Sequence, residues 1–217
     1  MAVCETLAYL VDTAAFEMQR AKWRKVIRDD VTFPDQIFKR PEGPFLFFEF
    51  GLFFTARFLE SVKQLLHFTS DTGASFAVIE PDPERYFYRE FRKYPFVSFS
   101  VQESAEDYLK ALSEDPGGSS ADAPASNSSK VVVFPASVRW QIFGDREFEW
   151  AVLNCMSQDI YKVFVQSCGL LELREAEDVV PYLKDVISIG GDKGIQFDWV
   201  DTFIKNYSNK ASAGRRN

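Results

Sequence analysis

Residues 45–58 read FLFFEFGLFFTARF and hold seven of the chain's 22 phenylalanines. The stretch is too short to cross a bilayer, which takes about 20 consecutive apolar residues. Glu49 and Arg57 within it would also be costly in lipid. It reads instead as a buried strand running into a helix, and the fold is expected to form around that unit. Residues 45–50 follow Pro44 as an aromatic run, the composition of a strand. Gly51 marks a break. From Leu52 the apolar residues Phe54, Phe58, Leu59, Val62, Leu65 and Leu66 recur at helical spacing. Glu49 is the exception in the aromatic run: a carboxylate there must face solvent, be paired, or give up its charge.

The chain has 217 residues, 46% hydrophobic and 16% aromatic, enough for a packed core in one large domain or two small ones. A formal charge of −7 and a pI near 4.9 exclude nonspecific nucleic-acid binding, which needs a basic surface. The same balance suits encounter with a basic protein partner, and plain solubility accounts for it equally well. Cys4, Cys155 and Cys168 form no CxxC pair, which fits reduced thiols in a cytoplasmic protein. The start MAVCETLAYLVDTAAF carries Glu5 and Asp12 and no basic cluster, so no signal peptide is expected.

Residues 5–28 read as an amphipathic helix with Leu7, Leu10, Val11, Ala14, Met18 and Ala21 on the buried face. Its last turns are basic, with Arg20, Lys22, Arg24, Lys25 and Arg28, where cations suit the helix dipole. Pro34, Pro41 and Pro44 mark a loop. Beyond the phenylalanine block, strands are expected at 74–79, 96–101 and 130–134, and a helix at 83–93. Another helix starts at Ser104, whose S-A-E-D is a capping-box pattern. Residues 115–129, DPGGSSADAPASNSS, are poor in apolar side chains and read as a flexible inserted loop. Two further helices are expected at 176–187 and 198–207, with Pro181 in the first turn region of the former, where proline is tolerated. Residues 190–194 form a loop and 210–217 a disordered tail. The expectation is a single α+β domain over 1–217, with helices packed on a mostly antiparallel sheet.

Catalytic motifs are weak. His67 is the only histidine, no GxSxG surrounds a serine, and the His and Cys counts exclude a multi-ligand metal site. Ile189-Gly-Gly-Asp-Lys-Gly194 shares only its glycine content with a phosphate loop and lacks GxxxxGK[ST]. Glu80, Asp82 and Glu84, in E-P-D-P-E, are the one arrangement that would suit a metal-dependent hydrolase, with magnesium gathered by carboxylates. A proline-punctuated acidic turn explains the same residues. No cofactor and no resident metal are expected.

Residues 137–153, SVRWQIFGDREFEWAVL, read as a β-hairpin about Gly144-Asp145. A three-residue loop, Gly144-Asp145-Arg146, would pair Trp140 with Trp150, Ile142 with Phe148 and Val138 with Val152. One face would then be apolar and the other would meet solvent. A two-residue loop, which Gly144 favours by turn type, would mix the faces, so burial selects the odd loop. Both tryptophans would be core, leaving Asp145, Glu147 and Glu149 as an acidic row for a partner. The segment resembles a hairpin of immunity proteins of bacterial polymorphic toxin systems, in which a tryptophan, a Gly-Asp-Arg turn and an acidic second strand recur. That resemblance implies a cytoplasmic antidote that covers a toxin domain by direct contact, with no nucleic-acid or membrane partner. The other readings are the magnesium hydrolase and an adaptor subunit of a larger assembly.

Overall fold

The computed structural model describes residues 7–41, 43–167, 172–189 and 196–209. In chain order its strands and helices are β1 (Leu7–Leu10), α1 (Thr13–Trp23), β2 (Phe45–Glu49), α2 (Ala56–Thr69), β3 (Gly73–Glu80), α3 (Arg89–Phe91) and β4 (Tyr94–Ser100). Then follow α4 (Ala105–Ser113), β5 (Lys130–Pro135), β6 (Trp140–Asp145), β7 (Trp150–Cys155), α5 (Gln158–Ser167), α6 (Ala176–Ile189) and α7 (Gln196–Tyr207). The phenylalanine block forms a strand and a helix as expected, with a 3-10 turn at Phe50–Phe54 between them. Thr55 closes that turn by donating to the Leu52 carbonyl (2.8 Å), and its oxygen accepts from Phe58 N (3.3 Å) to cap α2.

The strands make one antiparallel sheet in the order β1-β4-β3-β5-β6-β7-β2. Helices cover both of its faces, and the fold is α+β. On one face α2, α4 and α5 bury Phe58, Leu65, Tyr108 and Phe164 against Phe48, Phe76, Val133 and Ile142. On the other, α1, α6, α7 and the segment 26–38 bury Phe16, Trp23, Phe33, Leu183 and Phe203 against Phe47, Phe96, Phe143 and Trp150. Consecutive residues of β2 therefore serve opposite cores, which is why the strand is a continuous apolar run. Phe48 meets Phe53 (5.6 Å between ring centroids), and Phe53 also packs on Phe50, Phe58 and Phe76. Phe47 meets Phe33 (6.2 Å), which collects Phe143, Phe148, Phe203 and Tyr207. The outer edge of β2 is closed by paired backbone bonds to Arg174 (2.8 and 2.9 Å) and by the Asn209 side chain, which bonds both N and O of Phe45.

Four expectations change. The long N-terminal helix is instead β1 followed by the shorter α1, because Leu7–Leu10 pairs with β4 at the sheet edge. The buried face of α1 is also not the expected one. Phe16 and Trp23, seven positions apart, point inward, while Met18 and Val11 are 63% and 67% exposed. Aromatic bulk against the sheet won over the longer stripe of small apolar residues. Pro181 lies inside α6 rather than in its first turn region. Outside these changes, residues 115–129, the inserted loop, make polar contacts with the rest of the chain. Lys93 donates to the Pro116 carbonyl (3.0 Å), Tyr86 to Asp122 (2.6 Å) and Ala125 N to the Leu112 carbonyl (2.8 Å). Cys4, Cys168, the loop at 190–194 and the tail at 210–217 lie outside the described residues.

The fourth change is the hairpin register. Trp140 lies opposite Cys155 and Trp150 opposite Asp145, leaving a four-residue loop at 146–149. Both tryptophans are core as expected, but in opposite cores. A three-residue loop requires one solvent face, which would carry Gln141 and Phe143, and both are buried. With both faces covered, apolar burial does not discriminate parity. Polar pairs do: Asn154 donates to the Gln141 side-chain oxygen directly across the ladder (3.0 Å), and Thr32 donates to Asp145 (2.6 Å). A one-residue slip would turn those groups into an apolar core. Gly144 adds a steric constraint, since a Cβ there would lie 2.3 Å from Cε2 of Phe53 and 3.0 Å from Cδ2 of Phe50. Gly144→Ala is therefore expected to destabilise the protein by about 1–3 kcal/mol through overpacking. A denaturant midpoint equal to wild type would rule out this close approach of hairpin and 3-10 turn.

Candidate functional site

Where β2 ends and β7 begins, several side chains with unspent chemistry collect. Glu49 is the last residue of β2 and pairs across the ladder with Trp150; Glu149 immediately precedes Trp150. Phe50 N donates to the Glu149 carbonyl (2.8 Å), extending the ladder one step. Glu149 has φ 61°, a left-handed conformation that costs a side-chain-bearing residue roughly 1–2 kcal/mol. The loop is short because Glu149 N turns back onto the Arg146 carbonyl (3.1 Å), and β7 resumes at once. From α6, Tyr182 approaches Trp150 with ring centroids 5.7 Å apart. Glu49, Phe50, Gly51, Arg146, Glu149, Trp150 and Tyr182 line a cleft of about 550 Å³.

Arg146 anchors the floor. Its Nε donates to the Ser128 carbonyl (2.6 Å) and Nη2 to the Ala125 carbonyl (2.9 Å) and Ser128 Oγ (3.3 Å). The guanidinium also lies over the rings of Phe50 (5.0 Å) and Phe54 (5.5 Å). Burial draws its pKa down from the ordinary arginine value, and these contacts replace the water it has lost. One side chain thus joins the hairpin, the phenylalanine block and the 115–129 segment.

The structure divides the expected acidic row. Glu147 and Glu149 are exposed, whereas Asp145 is fully buried. Asp145 accepts from Thr32 Oγ1 (2.6 Å) and from Glu147 N (3.0 Å), so it shapes the turn and does not face a partner. Glu49, noted in the sequence only as an oddity, is exposed and joins Glu149 at the cleft. Among the described residues none of Glu49, Glu147 and Glu149 takes part in an ion pair.

The alternative acidic loop is spent on structure. Glu80 pairs with Lys130 (2.7 Å), Asp82 caps the following turn by accepting from Glu84 N (2.9 Å) and Arg85 N (2.7 Å), and Glu84 pairs with Arg20 (2.9 Å). Among the described residues no group of three His, Cys, Asp or Glu could hold a metal ion. His67 is exposed in the last turn of α2, and Cys155 is buried. No helix of the described residues is long and apolar enough to cross a membrane. Arg146, Trp150 and Tyr182 were not legible as site residues, because nothing local in the sequence brings α6 to the start of β7. The chain matches no protein-family model, no curated protein and no solved structure.

Burial raises the pKa of the Asp145 carboxyl from its ordinary value, against the opposing pull of Thr32, Lys130 and Glu147 N. The folded state then keeps its proton to higher pH than the unfolded chain, whose aspartates titrate at about 3.9. Between those two values the folded state binds more protons, so this group's contribution to stability falls as pH rises. Asp145→Asn keeps an acceptor for Thr32 and removes the titration. The stability of the variant relative to wild type is expected to rise from about pH 4 upward and then level off. A relative stability that falls over the same range would contradict the assignment.

Proposed function

We propose that the chain is a binding protein that recognises a basic protein partner through the tip of the β6–β7 hairpin. In its specific form this is a cytoplasmic immunity protein that neutralises a toxin domain by direct contact. The observation that carries the reading is the placement of exposed carboxylates at one rim. Glu49 and Glu149 line the same cleft, Glu147 lies in the same hairpin loop, and none of the three forms an ion pair among the described residues. Like charges held together without a counter-charge favour a cationic partner and speed its approach, the more so in an acidic molecule. The hairpin is also rigid enough to present them, tied down by Asp145 below and Arg146 behind.

The test is neutralisation and direct binding of a basic toxic protein encoded beside this chain. Wild type is expected to form a stable complex and abolish toxicity. Glu147→Lys combined with Glu149→Lys is expected to weaken binding at least about tenfold, most strongly at low salt, with nearly unchanged thermal stability. Trp140→Ala should instead lower fold stability by roughly 3–5 kcal/mol. Full neutralisation by the charge-reversed pair would overturn the reading.

A further inference from the structure

The cleft beside the hairpin tip has the chemistry of a pocket for one particular side chain. We propose that it seats an arginine of the partner, with the guanidinium against Tyr182 and Trp150 and between the carboxylates of Glu49 and Glu149. The proposal rests on the reading that this face meets a basic protein. Its volume of about 550 Å³ is within the range of ligand pockets. Tyr182 lines the cleft and is 47% exposed. Aromatic faces attract cations through the ring quadrupole, and the chain already uses this twice at the site. Arg146 lies 5.0 Å from the centroid of Phe50, and Arg174 lies 4.9 Å from that of Tyr182.

Neither resident cation answers the carboxylates. Arg146 is bonded to oxygens of Ala125 and Ser128, and Arg174 is paired with Glu172 (3.1 Å). The lining itself holds two acids and one cation, the engaged Arg146, while Arg174 reaches Tyr182 from outside the lining. A guanidinium suits it better than an ammonium, because its plane stacks on rings while its fork bonds carboxylates in pairs. The mouth is open at Gly51, where an added Cβ would meet no atom within 4 Å. That residue has no steric need to be glycine, so a large side chain can be placed there to fill the cleft from within.

The probe is the capped tripeptide Gly-Arg-Gly, with citrulline and lysine versions as controls, titrated into the full chain and followed by amide and indole chemical shifts. Saturable shifts are expected at the Gly51 amide and the Trp150 indole. The uncharged citrulline isostere should bind at least about tenfold more weakly, having lost the charge-assisted bonds. Tyr182→Ala should weaken the arginine peptide about two- to fivefold, and Gly51→Trp should abolish binding while the protein stays folded. Absence of shifts at the cleft, equal binding of citrulline, or unimpaired binding by folded Gly51→Trp would overturn the pocket. Tighter binding of lysine would overturn its assignment to arginine. Peptide binding at the cleft without any neutralised partner would count against the function proposed above and not against the pocket. Neutralisation that depends on Glu147 and Glu149 but survives Gly51→Trp would do the reverse.

Discussion

A sheet covered by helices on both sides has no solvent face to receive polar side chains, and that constraint governs every central strand of this molecule. Residues 45–48 illustrate it, since Phe45 and Phe47 enter one core while Leu46 and Phe48 enter the other. The two cores are built alike, each around a phenylalanine surrounded by other rings: Phe53 on one side, Phe33 on the other. Edge-to-face aromatic pairs contribute beyond their buried area. They also fix relative orientation, so the 3-10 turn, α2 and α7 are located by the rings they supply.

Where every side chain is buried, register must come from something other than hydrophobicity. The polar exceptions supply it here. Gln141 and Asn154 face each other across β6 and β7, and Asp145 is satisfied by Thr32 from a distant loop. Each would be left unpaired by a slip, at a cost of about 1–3 kcal/mol apiece. The turns flanking β6 carry the strain, with Val138 at φ 50° and Glu149 at φ 61°. A β-branched residue in the left-handed region is a genuine outlier, and Val138 is steadied by the Gln141 side chain, which donates to its carbonyl.

The candidate site lies at the edge of the sheet. Glu49, the last residue of the outer strand β2, is exposed one position from a fully buried Phe48, although its ladder partner Trp150 is buried. The hairpin loop adds Glu149, and α6 brings Tyr182 alongside Trp150. A rigid, mostly apolar scaffold with a few uncompensated charges at one rim is the arrangement expected of a recognition surface. The acidic loop at 80–84 has the same residue type and the opposite status, because each of its carboxylates already serves a cation or a helix start.

The α+β class, most element positions and the centrality of residues 45–58 were legible in the sequence, because periodicity and composition report local burial directly. The Ser104 cap was legible for the same reason: Asp107 N bonds its side chain within one turn (3.0 Å). Glu147 and Glu149 could be singled out as exposed acids. What only the tertiary structure decided depends on groups far apart in the chain. Alternation implies that a strand has two faces but not whether the second meets water, so the hairpin parity was beyond local reading. The burial of Asp145 depends on Thr32, 113 positions away. The inward face of α1 was set by which aromatic rings the sheet could accept, and the cleft by the meeting of β2, the hairpin and α6. These are long-range contacts, and a sequence pattern records the demand for burial without naming the surface that meets it.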